Sequence, residues 1–135
     1  MDEDQMKAAE SRGYRDLAWE YREAAYGSLR DEHPRLAVDT GYNAAELCAK
    51  GLLVLKIDDL PNSHDRVVIK FGDTYIKEGP LPRRLGRDLN KCLAFKNKSR
   101  CDPHARIGRD EADEVLKLAD TMVKVLHQEL RKTKY

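Results

Sequence analysis

The sequence predicts an all-α protein, an antiparallel up-and-down bundle of four to five helices. Three observations predict it. Apolar residues recur three and four apart through five segments, which is the period of a helix face. Strand-like alternation is missing: Val67-Val68-Ile69 is the one β-branched run, and its neighbours keep helical period. The segments are joined by short, breaker-rich connections, which favour antiparallel neighbours.

The first helix is expected from about Ala8 to Arg30, with Leu17, Ala18, Tyr21, Ala24, Ala25 and Ser28 on one face. His33-Pro34 breaks it, and Pro34 suits the first turn of a second helix because its missing N–H would be unpaired there anyway. The second helix runs from about Arg35 to Lys56. From Tyr42 to Leu55 it is apolar on more than one face, which marks a central helix. Asp58-Asp59-Leu60-Pro61-Asn62 is a turn. Asn62 or Ser63 caps a third helix whose inward stripe is His64, Val68, Phe71 and Tyr75, ended by Gly79-Pro80-Leu81-Pro82. The fourth helix runs from Arg83 to about Lys98 and buries Leu85, Leu89, Cys92, Leu93 and Phe95. A loop over 101–108 leads to the last helix. That helix opens on Asp110-Glu111 at its positive end and carries Ala112, Val115, Leu116, Ala119, Met122, Val123, Leu126 and Leu130 inward.

The length of 135 residues fits one domain, with its core over roughly 8–132. Charged residues at 36% over 41% hydrophobic ones describe a folded chain with a charge-rich surface, and nothing spans a membrane. The acidic, non-apolar N-terminus is no secretory signal, so the expected location is the cytoplasm. Cys48, Cys92 and Cys101 are odd in number and lack CxxC spacing, so they read as reduced thiols, two of them buried. Cys101 and His104 alone are too few for a metal site; no metal and no cofactor are expected.

Net charge is only +1, but it is unevenly spread. Residues 1–60 carry 8 basic and 13 acidic side chains, whereas residues 83–109 carry 9 basic and 2 acidic. The second figure marks either a phosphate-binding surface or an ordinary solvated helix face. In the first reading Arg84, Arg87, Lys91, Lys98 and Arg106 are the candidate nucleotide- or RNA-binding residues.

Among the histidines, His127 reads as a surface residue, His33 as a helix-start residue, and His64 as the donor or acceptor of a structural hydrogen bond to a neighbouring helix or loop. His104 lies in the charged loop with Arg100, Asp102 and Arg106. Histidine exchanges protons near neutral pH and arginine holds a phosphate, so Arg100 and His104 are candidates for acid–base cleavage of RNA. The competing reading pairs Arg100 with Asp102 to pin the loop, with His104 exposed. No phosphate loop, dinucleotide fingerprint, zincin motif or nucleophile elbow is present. Tyr14, Tyr21, Tyr26 and Trp19 flank the first helix; their helical spacing favours core or interface over base stacking.

Four stretches together resemble the HEPN domain family, in its small stand-alone prokaryotic form, over roughly residues 14–130. These are Trp19 to Ala25, the alanine-rich Tyr42-Asn43-Ala44-Ala45-Glu46-Leu47-Cys48-Ala49-Lys50-Gly51-Leu52-Leu53, Ser63-His64 followed by Phe71, and Lys96-Asn97-Lys98-Ser99-Arg100-Cys101-Asp102-Pro103-His104-Ala105. The resemblance implies a helical bundle that commonly forms a homodimer and often pairs with a small nucleotidyltransferase as toxin and antitoxin. Active members of the family are metal-independent ribonucleases, with an arginine, a polar residue and, a few positions later, a histidine. Here Lys96-Asn97 takes the place of the first two, and Cys101-Asp102-Pro103 stands where the histidine would be. The pattern is degraded, or shifted onto Arg100 and His104.

Three functions follow. The first is a dimerising HEPN protein with a nucleotidyltransferase partner, nucleotide or RNA on the 83–109 face and a degraded motif. The second is a ribonuclease toxin in which His104 moves protons, Arg100 and Lys96 hold phosphate, Asn97 orients groups, and Asp102 orients His104 or pairs with Arg100. The third is a purely structural or regulatory bundle.

Overall fold

The structure, a computed structural model, describes residues 1–133. It contains α1 (Glu3–Arg30), α2 (Pro34–Val54), α3 (His64–Phe71) continuing as a π-helical segment (Gly72–Lys77), α4 (Arg83–Cys101) and α5 (Arg109–Arg131), with no strand among the described residues. The all-α bundle is as expected; several boundaries and one buried face are not.

α1 begins at Glu3, ahead of the expected Ala8, because Asp2 and Gln5 form a capping box. The Asp2 side chain accepts from the Gln5 N–H at 2.8 Å, and the Gln5 side chain accepts from the Asp2 N–H at 3.0 Å. α1 ends in a tight reversal: the His33 N–H donates to Ser28 O at 2.8 Å, and Glu32 takes a left-handed φ of 64°. The inward face of α1 is Ala8, Ser11, Ala18, Ala25 and Leu29. Leu17 and Ala24, expected inside, are exposed, and Tyr21 is only half-buried. The reason is close packing. α1 and α2 form the most extensive helix pair, and small side chains on α1 let the two backbones approach.

α2 is central. Of its 21 residues, 13 are buried, and it packs against α1, α3, α4 and α5. Its all-round apolar surface is therefore consumed within one protomer and does not of itself call for a second copy. Pro34 sits in its first turn as expected. The helix ends at Val54, two residues before the expected Lys56.

The third segment was expected to be one α-helix up to Gly79. It widens instead into a π-helical turn after Phe71, and Phe71 and Tyr75 stack at 5.6 Å between ring centroids. The Tyr75 hydroxyl donates to Leu52 O, which pins the segment to α2. The chain then folds back so tightly that a Cβ on Gly79 would collide with the Tyr75 backbone. Buried residues from α1, α2, α3, α4 and α5 merge into a core around Tyr42, Leu52, Leu53, Phe71, Leu89, Met122 and Leu126. Phe95, expected inside, is half-buried at its edge. Cys48 and Cys92 are buried and Cys101 is exposed, all three as free thiols. No helix among the described residues is long and apolar enough to cross a membrane.

Candidate functional site

α4 carries most of the basic segment, and its residues divide sharply by direction. Leu85, Leu89, Cys92 and Leu93 face inward, and so does Lys96, which is only 4% exposed. A buried ammonium needs a partner. Lys96 Nζ lies 3.2 Å from His64 Nε2. His64 Nδ1 in turn lies 2.9 and 2.7 Å from the two carboxylate oxygens of Glu46, which is itself 4% exposed. The carboxylate can only accept from Nδ1, so Nδ1 carries the ring proton and Nε2 offers its lone pair to Lys96. The Tyr42 hydroxyl donates to Glu46 Oε1 at 3.1 Å, and Lys50 Nζ stands 3.9 Å from Oε2. Burial first, and then the Glu46 charge, push the Tyr42 hydroxyl well above its ordinary range, so it stays a donor.

This chain of groups ties α2 to α3 and α4. Its position on α3 also has a local cause: Ser63 caps the helix by accepting from the Arg66 N–H at 3.3 Å, which sets His64 as the first helical residue over α2. Sequence reasoning gave His64 a structural hydrogen bond, and it makes one. Glu46 was missed, although a lone carboxylate inside the apolar Tyr42–Leu55 run was the available signal. Chemically, the chain holds His64 in one tautomer and occupies both ring nitrogens.

The other candidate residues lie further along α4 and in the 101–108 loop. Asn97, Lys98 and Arg100 are exposed or nearly so on the outer side of α4. Arg100 Nε is 3.9 Å from Asp39 Oδ2 of α2. The alternative Arg100–Asp102 pair does not form. The Asp102 carboxylate accepts instead from the His104 backbone N–H at 2.9 Å, a local turn. His104 is exposed, and among the described residues no hydrogen bond or ion pair joins its ring to Arg100 or Asp102.

What pins the loop is Arg35, which sequence reasoning did not single out. Its Nη2 donates to Asp102 O, to Ala105 O at 3.1 Å and to Lys98 O at 3.4 Å. This cation covers carbonyls at the negative end of α4, so the helix continues to Cys101, past the expected Lys98.

Of the remaining candidate cations, Arg84 is 3.7 Å from Asp88 and Lys91 is 2.7 Å from Glu114 of α5. The Glu114 hydrogen bond raises the Lys91 pKa. Arg87, Lys98 and Arg106 are exposed and have no carboxylate partner among the described residues. Two of these five cations are therefore neutralised by the protein's own acids. Among the described residues no cluster of three or more histidine, cysteine or acidic side chains has the arrangement a metal ion needs.

A family model described as HEPN domain matches residues 12–130. No curated protein matches the chain. In fold the chain is similar to the crystal structure of TT1696 from Thermus thermophilus, with a TM-score of 0.74 and 20% identity over 88% of this chain and 97% of that one.

Proposed function

The chain belongs to the HEPN domain family, and from that membership we propose that it is a non-catalytic HEPN protein. It forms a homodimer, pairs with a nucleotidyltransferase in a toxin–antitoxin-like couple, and binds nucleotide or RNA through the basic 83–109 face. The observation that carries the non-catalytic reading is the direction of Lys96. The residue standing where active relatives have their arginine points inward to His64, 3.2 Å away, and is shielded from solvent. At 4% exposure, Lys96 offers a phosphate little surface while it is held against His64. The histidine side of the motif is equally unassembled, with the His104 backbone rather than its ring on Asp102.

The partner and the dimer rest on family resemblance. Arg87, Lys98 and Arg106, which have no carboxylate neighbour among the described residues, support the nucleic-acid reading. The runner-up, a ribonuclease using Arg100 and His104, is favoured by the exposure of both side chains near one end of α4. In that mechanism a 2′-hydroxyl attacks the adjacent phosphorus, the 5′-oxygen leaves, and His104 takes and returns the proton.

The deciding experiment uses purified protein, single-stranded RNA and EDTA. RNA retained without cleavage is the expected result. Cleavage lost in both Arg100→Ala and His104→Ala, with helicity intact, would overturn the non-catalytic reading. Co-expression with a neighbouring nucleotidyltransferase, followed by sizing, tests the complex. Separate elution of the two proteins would remove the partnership.

A further inference from the structure

α1 and α5 border a groove of about 550 Å³, lined by Arg15, Asp16, Trp19, Arg22, Asp120, Val123, Lys124 and His127. The α5 residues stand at i, i+3, i+4 and i+7, one side of a helix, and those of α1 span two turns opposite them. One end is built rigidly. Arg22 Nε lies 2.5 Å from Asp120 Oδ1, and the Tyr26 hydroxyl donates to Asp120 Oδ2 at 2.5 Å. The Arg22 guanidinium also lies 4.7 Å from the centroid of the Trp19 ring and 4.8 Å from that of Tyr26. Burial is the largest single influence and works against the Arg22 charge, but the hydrogen bond and charge of Asp120, with Tyr26 and Glu23, together outweigh it.

Trp19 is nevertheless 50% exposed, so a large aromatic surface is left on the groove wall beside Val123. Arg22 and Asp120 meet at one end, so residues 124–127 of the antiparallel α5 approach residues 15–19 of α1. That places Lys124 and His127 towards the other end, with Arg15. Arg15 is bound to Asp16 at 3.2 Å, whereas Lys124 and His127 have no acidic partner among the described residues. An apolar aromatic wall, a fixed end, and an end where the Lys124 ammonium and the His127 ring have no acidic partner among the described residues describe one ligand chemistry.

We infer that this groove binds a small planar aromatic anion, with its ring against Trp19 and its phosphate or carboxylate on Lys124 and His127. The volume lies within the range of small-molecule sites. Stacking on an exposed indole supplies affinity for any flat ring, and charge-assisted hydrogen bonds orient the anionic end. The site shares no residue with the 83–109 face, so it stands or falls independently of the proposed function.

Trp19 is the only tryptophan in the chain, so its fluorescence reports on the groove directly. The whole chain, excited where the ligands do not absorb, is titrated with adenosine monophosphate as the phosphate form and nicotinate as the carboxylate form. Adenosine and inorganic phosphate serve as half-ligands. Saturable quenching by either anion, with weaker response to both half-ligands, is expected, and the stronger anion identifies the source. The double variant Lys124→Gln, His127→Gln should bind about tenfold more weakly, with its circular dichroism unchanged. No saturable change with either anion, or undiminished affinity in the double variant, would overturn the inference.

Discussion

Lys96 Nζ approaches His64 Nε2 to 3.2 Å, so this α4 side chain ends on a histidine of α3 rather than in solvent. The two residues complete a chain that begins at the buried Glu46 carboxylate. Such a chain stabilises only while its buried charges keep a partner, because a buried charge left alone costs more than the pair contributes.

Glu46→Ala should therefore cost about 3–5 kcal/mol. It strands the Tyr42 hydroxyl and the His64 Nδ1–H and leaves Lys96 without a counter-charge. His64→Ala should cost less, about 1–2 kcal/mol, because its side chain is 47% exposed and water can replace it on Glu46. Urea denaturation of the two variants measures this, and equal or reversed losses would contradict the assignment.

Two helical glycines make opposite predictions. Gly13 faces open space, with nothing within 4 Å of where a Cβ would stand. Gly13→Ala should stabilise by about 0.5–1 kcal/mol through helix propensity. At Gly51 the same Cβ would lie 2.9 Å from Leu126 Cδ2 and 3.3 Å from Tyr14 Cβ. Leu126 is fully buried and cannot yield freely. Gly51→Val should destabilise by about 1–3 kcal/mol despite the propensity gain. Thermal unfolding of both variants checks the pair, and a stabilised Gly51→Val would mean that α1, α2 and α5 are not closely packed there.

These glycines also mark what was legible in the sequence. The periodicity of Val115, Met122 and Leu126 was strong enough to place α5 and its inward face. On α1 the same reasoning put Ala18 and Ala25 on the inward face but added Leu17, Tyr21 and Ala24, which are exposed or half-buried, and missed Ala8 and Ser11. The true contact face is Ala8, Ser11, Ala18 and Ala25, and there smallness rather than hydrophobicity matters. Lys96 was visible as a candidate, but its direction was not, since one residue of helical phase separates a solvent-facing cation from a buried one. The Arg35 clamp was hidden for a different reason: it joins groups 63 to 70 residues apart, and no local pattern encodes that.

The thiols give a pH-dependent prediction. Burial pushes both Cys48 and Cys92 up to about 12 from 9.0. A raised folded-state pKa means that the fold favours the protonated thiol. The resulting stabilisation is whole below the unfolded value and is lost as pH rises towards the folded one. Tyr42 and Tyr75, pushed upward chiefly by burial, act with the same sign. Unfolding free energy should begin to fall above about pH 9, by about 1.4 kcal/mol per pH unit for each buried thiol. At about pH 8, iodoacetamide should label Cys101 alone in the native chain and Cys48 and Cys92 only after denaturation. Fast native labelling at either buried position would show that α2 or α4 opens readily.

The basic face gives the last prediction, because its cations are not equivalent. Lys91 is held 2.7 Å from Glu114, and Arg84 has Asp88 at 3.7 Å, so phosphate must compete with a carboxylate at both positions. Arg87, Lys98 and Arg106 face no such competition among the described residues. If single-stranded RNA binds here, each phosphate contact contributes about 0.7 to the slope of log affinity against log salt. Arg87→Ala, Lys98→Ala and Arg106→Ala should each weaken binding and lower that slope by about this amount. Lys91→Ala should change the slope less, since Glu114 already occupies the ammonium and leaves it less free to displace counterions on a phosphate. Salt titrations of fluorescence anisotropy with a labelled oligonucleotide measure all four. Equal slopes in wild type and the Arg87 and Lys98 variants would place any RNA binding elsewhere on the molecule. A larger effect at Lys91 than at Arg87 would mean that the Lys91–Glu114 contact opens to admit phosphate.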